Sequence, residues 1–227
     1  MDSKSARQEA VTCLKQNLIM DAALKVISRD GYLAAKLEDI AEEAGFSKAA
    51  LYHYFPDREA LFLNIILREY KLVSERFQEI TESEITFSEA LRKVITVAYN
   101  SVIENVKLYG DISLNLMMLT YANMLTKHED LFNVVIERKN EISNHILKLV
   151  ERAKESGVFT IPVDNEMVAC FINAIIQTVI MDIFQKHKCG VQYHDFNKTV
   201  DSLLTLLSPW INETPEQVPA QVEVNRA

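Results

Sequence analysis

Two short segments with helical apolar spacing, separated by a glycine turn, constrain the fold of this chain more than any other feature. The spacing predicts one helix over Leu37–Glu43 and a second over Lys48–Tyr54. Gly45 lies between them, Ser47 is suited to cap the second helix, and Pro56 ends it. Two short helices joined by a glycine-containing turn are typical of a helix-turn-helix, whose second helix enters the major groove of DNA.

Most of the other residues of this 227-residue chain are also predicted to be helical. Gly and Pro number only 5 each, which argues against a β-rich fold with many turns. We therefore predict an all-α protein of about nine helices. Residues 3–15 either extend the first helix or form a loose arm, and Asp57 and Asp164 are suited to cap helices. Besides the two above, the predicted helices are Asn17–Arg29, Arg58–Ile80, Phe87–Lys107, Asp111–Leu125, Glu129–Ser156, Asn165–Lys186 and Tyr193–Leu207.

Composition narrows the classes of function. The formal net charge of −8 excludes a protein that grips nucleic acid with its whole surface, although a local basic face is still possible. The three cysteines have no paired spacing, and the N-terminus lacks the apolar core of a secretion signal. The most apolar stretch, Met167–Phe184, carries Asn173, Gln177 and Asp182, which makes it too polar for a membrane span. We expect a cytoplasmic protein.

Motifs for catalysis and for metal binding are missing from the sequence. It contains no P-loop, nucleophile elbow or dinucleotide fingerprint, and its 5 histidines lack ligand spacing. We therefore expect neither an enzyme nor a resident cofactor or metal.

Residues Ile19–Leu61 closely resemble the N-terminal domain of the TetR family of bacterial transcriptional regulators. The matching stretches are IMDAALKVISRDGY and LEDIAEEAGFSKAALYHYFPDREAL, which are more specific than a generic helix-turn-helix pattern. The resemblance implies a DNA-binding domain over residues 13–73, with the helix-turn-helix at 36–55. It also implies a helical effector-binding and dimerisation domain over 74–211. Residues 212–227 carry no apolar run, and we expect them to be a disordered tail.

The resemblance also implies which residues contact DNA. The recognition helix of the family faces DNA with the positions that match Lys48, Ala49, Ala50, Tyr52 and His53. The positions that match Tyr52 and Tyr54 usually hydrogen-bond phosphates. The family often has Ser or Thr at the start of the second helix, where this chain has Ala35 and Lys36. It often has Gly-Thr where this chain has Ala49-Ala50, whose methyl groups can pack on thymine. The expected contacts are Lys36, Leu37, Glu38, Ser47, Lys48, Ala49, Ala50, Tyr52, His53, Tyr54 and Arg58. The alternative for Tyr52 and Tyr54 is helix packing.

Net charge alone does not point to DNA. Residues 1–60 carry 8 basic and 10 acidic side chains, a net charge of −2. The basic residues near the start of the N-terminal segment either follow the DNA or remain solvated: Lys4, Arg7 and Lys15. Others lie at predicted helix starts, where backbone N–H groups already favour phosphate: Lys36, Lys48 and Arg58.

Regulators of this family usually respond to a small molecule. The predicted helix Asp111–Leu125 is rich in Met and aromatic residues, and it forms either ordinary core or the wall of an apolar cavity. Asn173 and Gln177 face either a ligand or a partner subunit. The apolar character favours a small hydrophobic effector such as a fatty acyl compound or a drug-like molecule. The candidate effector-binding residues are Tyr99, Ile103, Met117, Met118, Tyr121, Asn144, Phe171 and Gln177.

Residues 165–186 and 193–207 match the last two helices of the family, which form a four-helix dimer interface. The first of them is apolar on more than one face, as such an interface requires. A two-fold dimer places two recognition helices about one DNA turn apart, on a pseudo-palindromic operator. The expected function is a repressor released by its effector through a change in the helix Arg58–Ile80. Two alternatives are a regulator without a small ligand, controlled by a protein partner, and an activator.

Overall fold

The computed structural model describes residues 3–32, 34–104, 126–189 and 196–213. Within these ranges the regular structure is helical, which confirms the all-α prediction, and Phe159 and Ile211 form an isolated antiparallel β-bridge. The predicted helix Asp111–Leu125 lies outside the described residues. The described helices are α1 (Ser3–Asp30), α2 (Leu37–Glu43), α3 (Lys48–Tyr54), α4 (Arg58–Glu82), α5 (Phe87–Glu104), α6 (Glu129–Glu155), α7 (Asn165–Cys189), α8 (Phe196–Leu207) and a 3₁₀ turn (Ser208–Trp210).

Side-chain caps fix the starts of α3, α4 and α7, as the sequence predicts. The Oγ of Ser47 accepts the N–H of Ala50 at 3.2 Å at the start of α3. The Oδ1 of Asp57 accepts the N–H of Ala60 at 2.8 Å at the start of α4, and Asp164 caps α7 in the same way. Each cap pairs a backbone donor that would otherwise have no partner within its helix.

The turn between α2 and α3 depends on Gly45. Its φ is +72°, in the left-handed region that favours glycine. Two backbone hydrogen bonds close the turn, from Gly45 N–H to the Glu42 carbonyl at 3.0 Å and from Phe46 N–H to the Ala41 carbonyl at 2.8 Å. This geometry sets the crossing of the two short helices.

A first apolar core joins α1, α2, α3 and the first half of α4. Its largest fully buried side chains include Tyr32 and Phe55. One further member, Val135, comes from the start of α6 and is 1% exposed, with Leu131 and Phe132 packed beside it. The first core is therefore closed by a helix far along the chain.

A second core joins the end of α4 to α5, the rest of α6, α7 and α8. Phe87 and Phe159 stack within this core, with ring centroids 4.7 Å apart. In α4, Ile66 belongs to the first core and Val73 to the second. Helix α4 thus runs through both cores, and its main neighbour is α6.

Some details differ from expectation. Residues 3–15 continue α1 as helix, and Leu14 is 61% exposed on that extension. The apolar side chain of Leu72 is 45% exposed, because the buried face of α4 passes through Val73 and Phe77. Beyond α8, the N–H of Asn212 donates to the Val158 carbonyl at 2.7 Å, and residues 214–227 lie outside the described ranges.

Helix α7 is the most apolar of the described helices over a long window. Asn165–Ile183 has a mean hydropathy of 1.6, and by length and composition alone this would suffice to cross a bilayer. Core helices of globular proteins meet the same criterion. Its inner face supplies Val168, Ile172 and Ile176 to the second core.

Candidate nucleic-acid interface

One face of helix α3 packs into the first core, and the opposite face is exposed to solvent. Leu51 and Phe55 are 0% and 1% exposed and pack into the first core. Buried anchors at this spacing leave the opposite face of the helix to solvent. The exposed residues on that face are Lys48, Ala49, Tyr52 and His53. This face has the residue types and the accessibility needed to contact base edges and phosphates.

The one cation of this face has partners within the protein. The Nζ of Lys48 forms an ion pair with Glu38 of α2 and lies 5.8 Å from the centre of the Tyr52 ring. The hydrogen bond to Lys48 lowers the pKa of Glu38, and the same contact raises the pKa of Lys48. Both side chains are largely exposed, so phosphate oxygens can compete for Lys48.

Other predicted contact residues contribute to packing. Tyr54 is partly buried, with its ring edge-on to Phe46 at 6.2 Å and to His53 at 5.2 Å. Ala50 is also partly buried, and its N–H is bound by Ser47. The ring of Tyr54 therefore helps to fix the end of α3, and its hydroxyl is the group left for phosphate.

At the start of α2, Lys36 and Glu38 are exposed, whereas the side chain of Leu37 is 8% exposed and packs in the first core. The side chain of Leu37 cannot contact DNA in the folded domain. Its backbone N–H, in the first turn of α2, is the group that can contact a phosphate. The resemblance to the family implies that Leu37 contacts DNA, whereas the helical spacing of apolar residues places its side chain on the buried face of α2. The structure agrees with the spacing.

Arg58 lies against the aromatic ring of Tyr32. Its guanidinium carbon is 4.9 Å from the ring centre, and Nη1 donates to the Tyr32 carbonyl at 3.4 Å. The side chain is thus held against the base of α4 and is partly buried.

A polar contact that the sequence did not reveal joins this domain to the two residues that precede α6. Asp57, the cap of α4, accepts from Nε2 of His128 at 2.9 Å and pairs with Nζ of Lys127 at 3.0 Å. Lys127 also lies 3.3 Å from Glu59. Local patterns assigned Asp57 only a capping role, and no sequence signal links positions about 70 residues apart.

The candidate effector residues do not converge in the described part of the chain. Tyr99 of α5 stacks on Phe196 at 3.9 Å, and Ile103 is partly buried near the end of α5. Asn144 lines an open groove of about 560 Å³ between α4 and α6. Phe171 is 55% exposed on α7, and Gln177 of the same helix is also exposed, so neither lines a shared cavity with Asn144.

Phe171 was expected in the pocket because apolar spacing cannot tell an inner face from an outer one. Met117, Met118 and Tyr121 lie outside the described residues. Among the residues that are described, no group of three or more His, Cys, Asp or Glu side chains could hold a metal ion.

Comparison with known proteins identifies the family that the N-terminal domain resembles. Residues 19–65 match the family model of bacterial regulatory proteins of the tetR family. The chain is 35% identical over 91 residues to the uncharacterized HTH-type transcriptional regulator YuxN of Bacillus subtilis. That match covers 40% of this chain and 31% of the relative, so it spans about a third of the relative's length.

Solved structures extend the likeness in fold to most of the chain. The fatty acid degradation regulator FadR from Bacillus halodurans matches with a TM-score of 0.65 and 20% identity, covering 85% of this chain and 94% of that one. The transcriptional regulator FadR from Bacillus subtilis, in complex with stearoyl-CoA, matches with a TM-score of 0.61 and 22% identity, covering 84% and 96%.

The matched segment contains the anchored helix α3, its glycine turn and both capping residues, and the helices that follow have the arrangement of those regulators. The N-terminal domain of the chain, over residues 19–65, belongs to the tetR family of bacterial regulatory proteins.

Proposed function

We propose that this protein is a transcriptional repressor that binds a pseudo-palindromic DNA operator as a homodimer and is released by a small hydrophobic effector. The observation that carries the proposal is the exposed face of α3. Lys48, Ala49, Tyr52 and His53 stand outward from a helix fixed by Leu51 and Phe55, within the segment that matches the tetR family. The family match supports DNA binding as the activity, and the exposed face of α3 provides the side chains that would contact DNA.

The groups divide into reading and positioning roles. The methyl group of Ala49 and the ring of His53 can reach base edges in the major groove, where base pairs are distinguished. Lys48 and the hydroxyl of Tyr52 are suited to phosphates, which fix the register on the duplex. With one cation on each recognition face, a single domain would bind weakly, and two half-sites are needed.

The dimer interface is proposed at the outer faces of α7 and α8. Phe171 and Met167 are 55% and 44% exposed on α7, and Leu206 is 66% exposed on α8. Large apolar side chains that share an exposed face mark an interaction surface. A second copy of the chain covering them explains why α7 is apolar on both its inner and its outer face.

The effector is proposed to be a fatty acyl compound, with an acyl-CoA as the class to test first. The composition of residues 111–125 favours an apolar ligand, and a structural relative, FadR from Bacillus subtilis, was solved with stearoyl-CoA. An effector that binds the folded protein raises its stability by RT ln(1 + [L]/Kd), about 2.7 kcal/mol at 100 times Kd. An acyl-CoA chain-length series in a thermal-shift assay is therefore the direct screen, with free CoA as the control.

DNA recognition is tested by selection from a random duplex pool. Wild-type protein is expected to enrich one pseudo-palindromic sequence with half-sites about one helical turn apart. The matched control is the variant Tyr52→Ala/His53→Ala, whose exposed side chains can be removed without opening the core. Enrichment of no common sequence by the wild type, or the same sequence by both proteins, would contradict the proposal.

A further inference from the structure

The first turns of α6 are attached to the DNA-binding domain by two kinds of contact. Val135 is buried in the first core, and Leu131 and Phe132 pack against it. Just before them, Lys127 and His128 bind the carboxylate of Asp57. The far end of the same helix, with Leu149 and Val150, belongs to the second core. Helix α6 therefore bridges both cores, as α4 does.

The polar part of this attachment converges on one carboxylate. Nε2 of His128 lies 2.9 Å from both oxygens of Asp57, and Nζ of Lys127 lies 3.0 Å from Oδ2. Asp57 at the same time caps α4 through the N–H of Ala60. The side chains of Asp57 and His128 are 22% and 18% exposed, so water screens this contact less than it screens a surface ion pair.

The electrostatics keep Asp57 ionised. Burial raises the pKa of the Asp57 carboxyl, but the N–H of Ala60, Lys127 and His128 together outweigh it and lower that pKa below its ordinary value. Glu59 provides a second carboxylate for Lys127. The carboxylate is therefore available to Lys127, to the N–H of His128 and to the helix cap over the working pH range.

Asp57 lies three residues beyond Tyr54, the last residue of α3. Between them, Phe55 is buried in the first core and Pro56 has a fixed φ, so this link is short and stiff. A displacement of Asp57 must move the end of α3 or break the cap of α4. The position of the start of α6 is thus coupled to the orientation of the exposed face of α3.

We propose that Lys127 and His128 are positioning residues that hold the recognition helix in its DNA-binding orientation by binding the Asp57 carboxylate. The inference rests on the proposed DNA-binding function and names a contact through which the C-terminal domain would control it. Movement of the start of α6 releases Asp57 and frees α3, and neither Lys127 nor His128 contacts DNA.

The test is a double variant, Lys127→Met/His128→Asn, which leaves the Asp57–Ala60 cap intact. Amide hydrogen exchange of residues 48–61 is expected to accelerate about tenfold, while exchange in α5 and α7 stays at wild-type rates. A second variant, Asp57→Ser, keeps a capping oxygen but removes the carboxylate and is expected to give the same pattern. The matched control is Lys71→Met, which removes an exposed lysine paired with Glu75.

The second readout is affinity for the duplex that the wild type selects. The double variant is expected to bind about tenfold more weakly with an unchanged salt slope, because no phosphate contact is lost. Lys127→Arg with native His128 is expected to retain most of the affinity. Unchanged exchange in residues 48–61 would overturn the inference, as would accelerated exchange with unaltered affinity or a reduced salt slope. If the wild type selects no DNA, the proposed function fails, and the exchange rates still decide whether α6 holds α3.

Discussion

The ammonium group of Lys48 on α3 is paired with the carboxylate of Glu38 on α2. The two residues lie on the two helices of the helix-turn-helix, and both are exposed. In the protein without DNA, the positive charge of the recognition face is therefore already bound to a negative one. Binding to a phosphate exchanges one anionic partner of Lys48 for another.

This exchange of partners predicts that substitutions of Lys48 and of Glu38 have opposite effects on the affinity for DNA. Lys48→Met should weaken binding about equally on all DNA sequences and lower the salt slope by about 0.9 per protomer, because one phosphate contact is lost. Glu38→Gln should tighten binding by roughly two- to tenfold, because Lys48 loses its competitor and a negative charge leaves the interface. Fluorescence anisotropy across a salt series measures both. A salt slope for Lys48→Met equal to that of the wild type would contradict a phosphate contact.

The anchoring of α3 predicts a large loss of stability for Leu51→Ala. The side chain is fully buried in the first core, and its truncation should cost about 2–5 kcal/mol in the free energy of unfolding. Leu72→Ala is the matched control, since that leucine is 45% exposed on α4, and its cost should stay below about 1 kcal/mol. Urea denaturation followed by circular dichroism gives both values. Equal losses for the two variants would be inconsistent with the packing described.

The contact between His145 of α6 and Ser74 of α4 predicts that the stability of the folded protein depends on pH. The Nε2 of His145 lies 3.2 Å from the hydroxyl of the buried Ser74, and burial, with Lys148 nearby, lowers the pKa of His145 from its ordinary value of 6.5. The unfolded chain therefore binds a proton at this site more readily than the folded protein does. Stability from this group is complete above pH 6.5 and is lost as the pH falls through 6.5 toward the folded-state pKa.

His145→Asn removes this titration. The difference in urea midpoint between the wild type and the variant should therefore change between pH 8 and about pH 5.5, with the wild type losing more on acidification. A difference that is constant across this range would show that the imidazole titrates alike in the folded and unfolded chain.

The outer face of α7 predicts the effect of Phe171→Glu. A charged residue at the centre of the proposed interface should give a folded monomer that binds a single half-site weakly, because the side chain is 55% exposed in the protomer. Leu14→Glu is the control, since Leu14 is 61% exposed on α1, away from α7 and α8. Sedimentation velocity should show a dimer for the wild type and the control. A dimeric Phe171→Glu protein would place the interface elsewhere.

Much of the fold is predictable from local sequence. The starts of α3, α4 and α7 follow from the side chains of Ser47, Asp57 and Asp164, each of which caps a backbone N–H three residues away. The end of α2 follows from the turn at Gly45. The exposed face of α3 follows from the spacing of its buried anchors.

Contacts between distant segments carry no such signal. Nothing near Val135 indicates that it closes the first core, and nothing near His128 indicates Asp57 as its partner. For Phe171, the sequence predicts burial but does not identify what covers the side chain. Its periodicity predicts burial, but whether a ligand, the core or another subunit provides that burial depends on the packing of the neighbouring helices.

The most direct test of the central claim is a titration of the selected duplex and of a scrambled duplex of equal composition, at about 0.15 M salt, followed by fluorescence anisotropy. The wild type should bind the selected duplex at two protomers per site and at least about 10³-fold more tightly than the scrambled one. Tyr52→Ala/His53→Ala should lose most of that ratio. Equal affinity of the wild type for both duplexes would contradict a recognition role for α3.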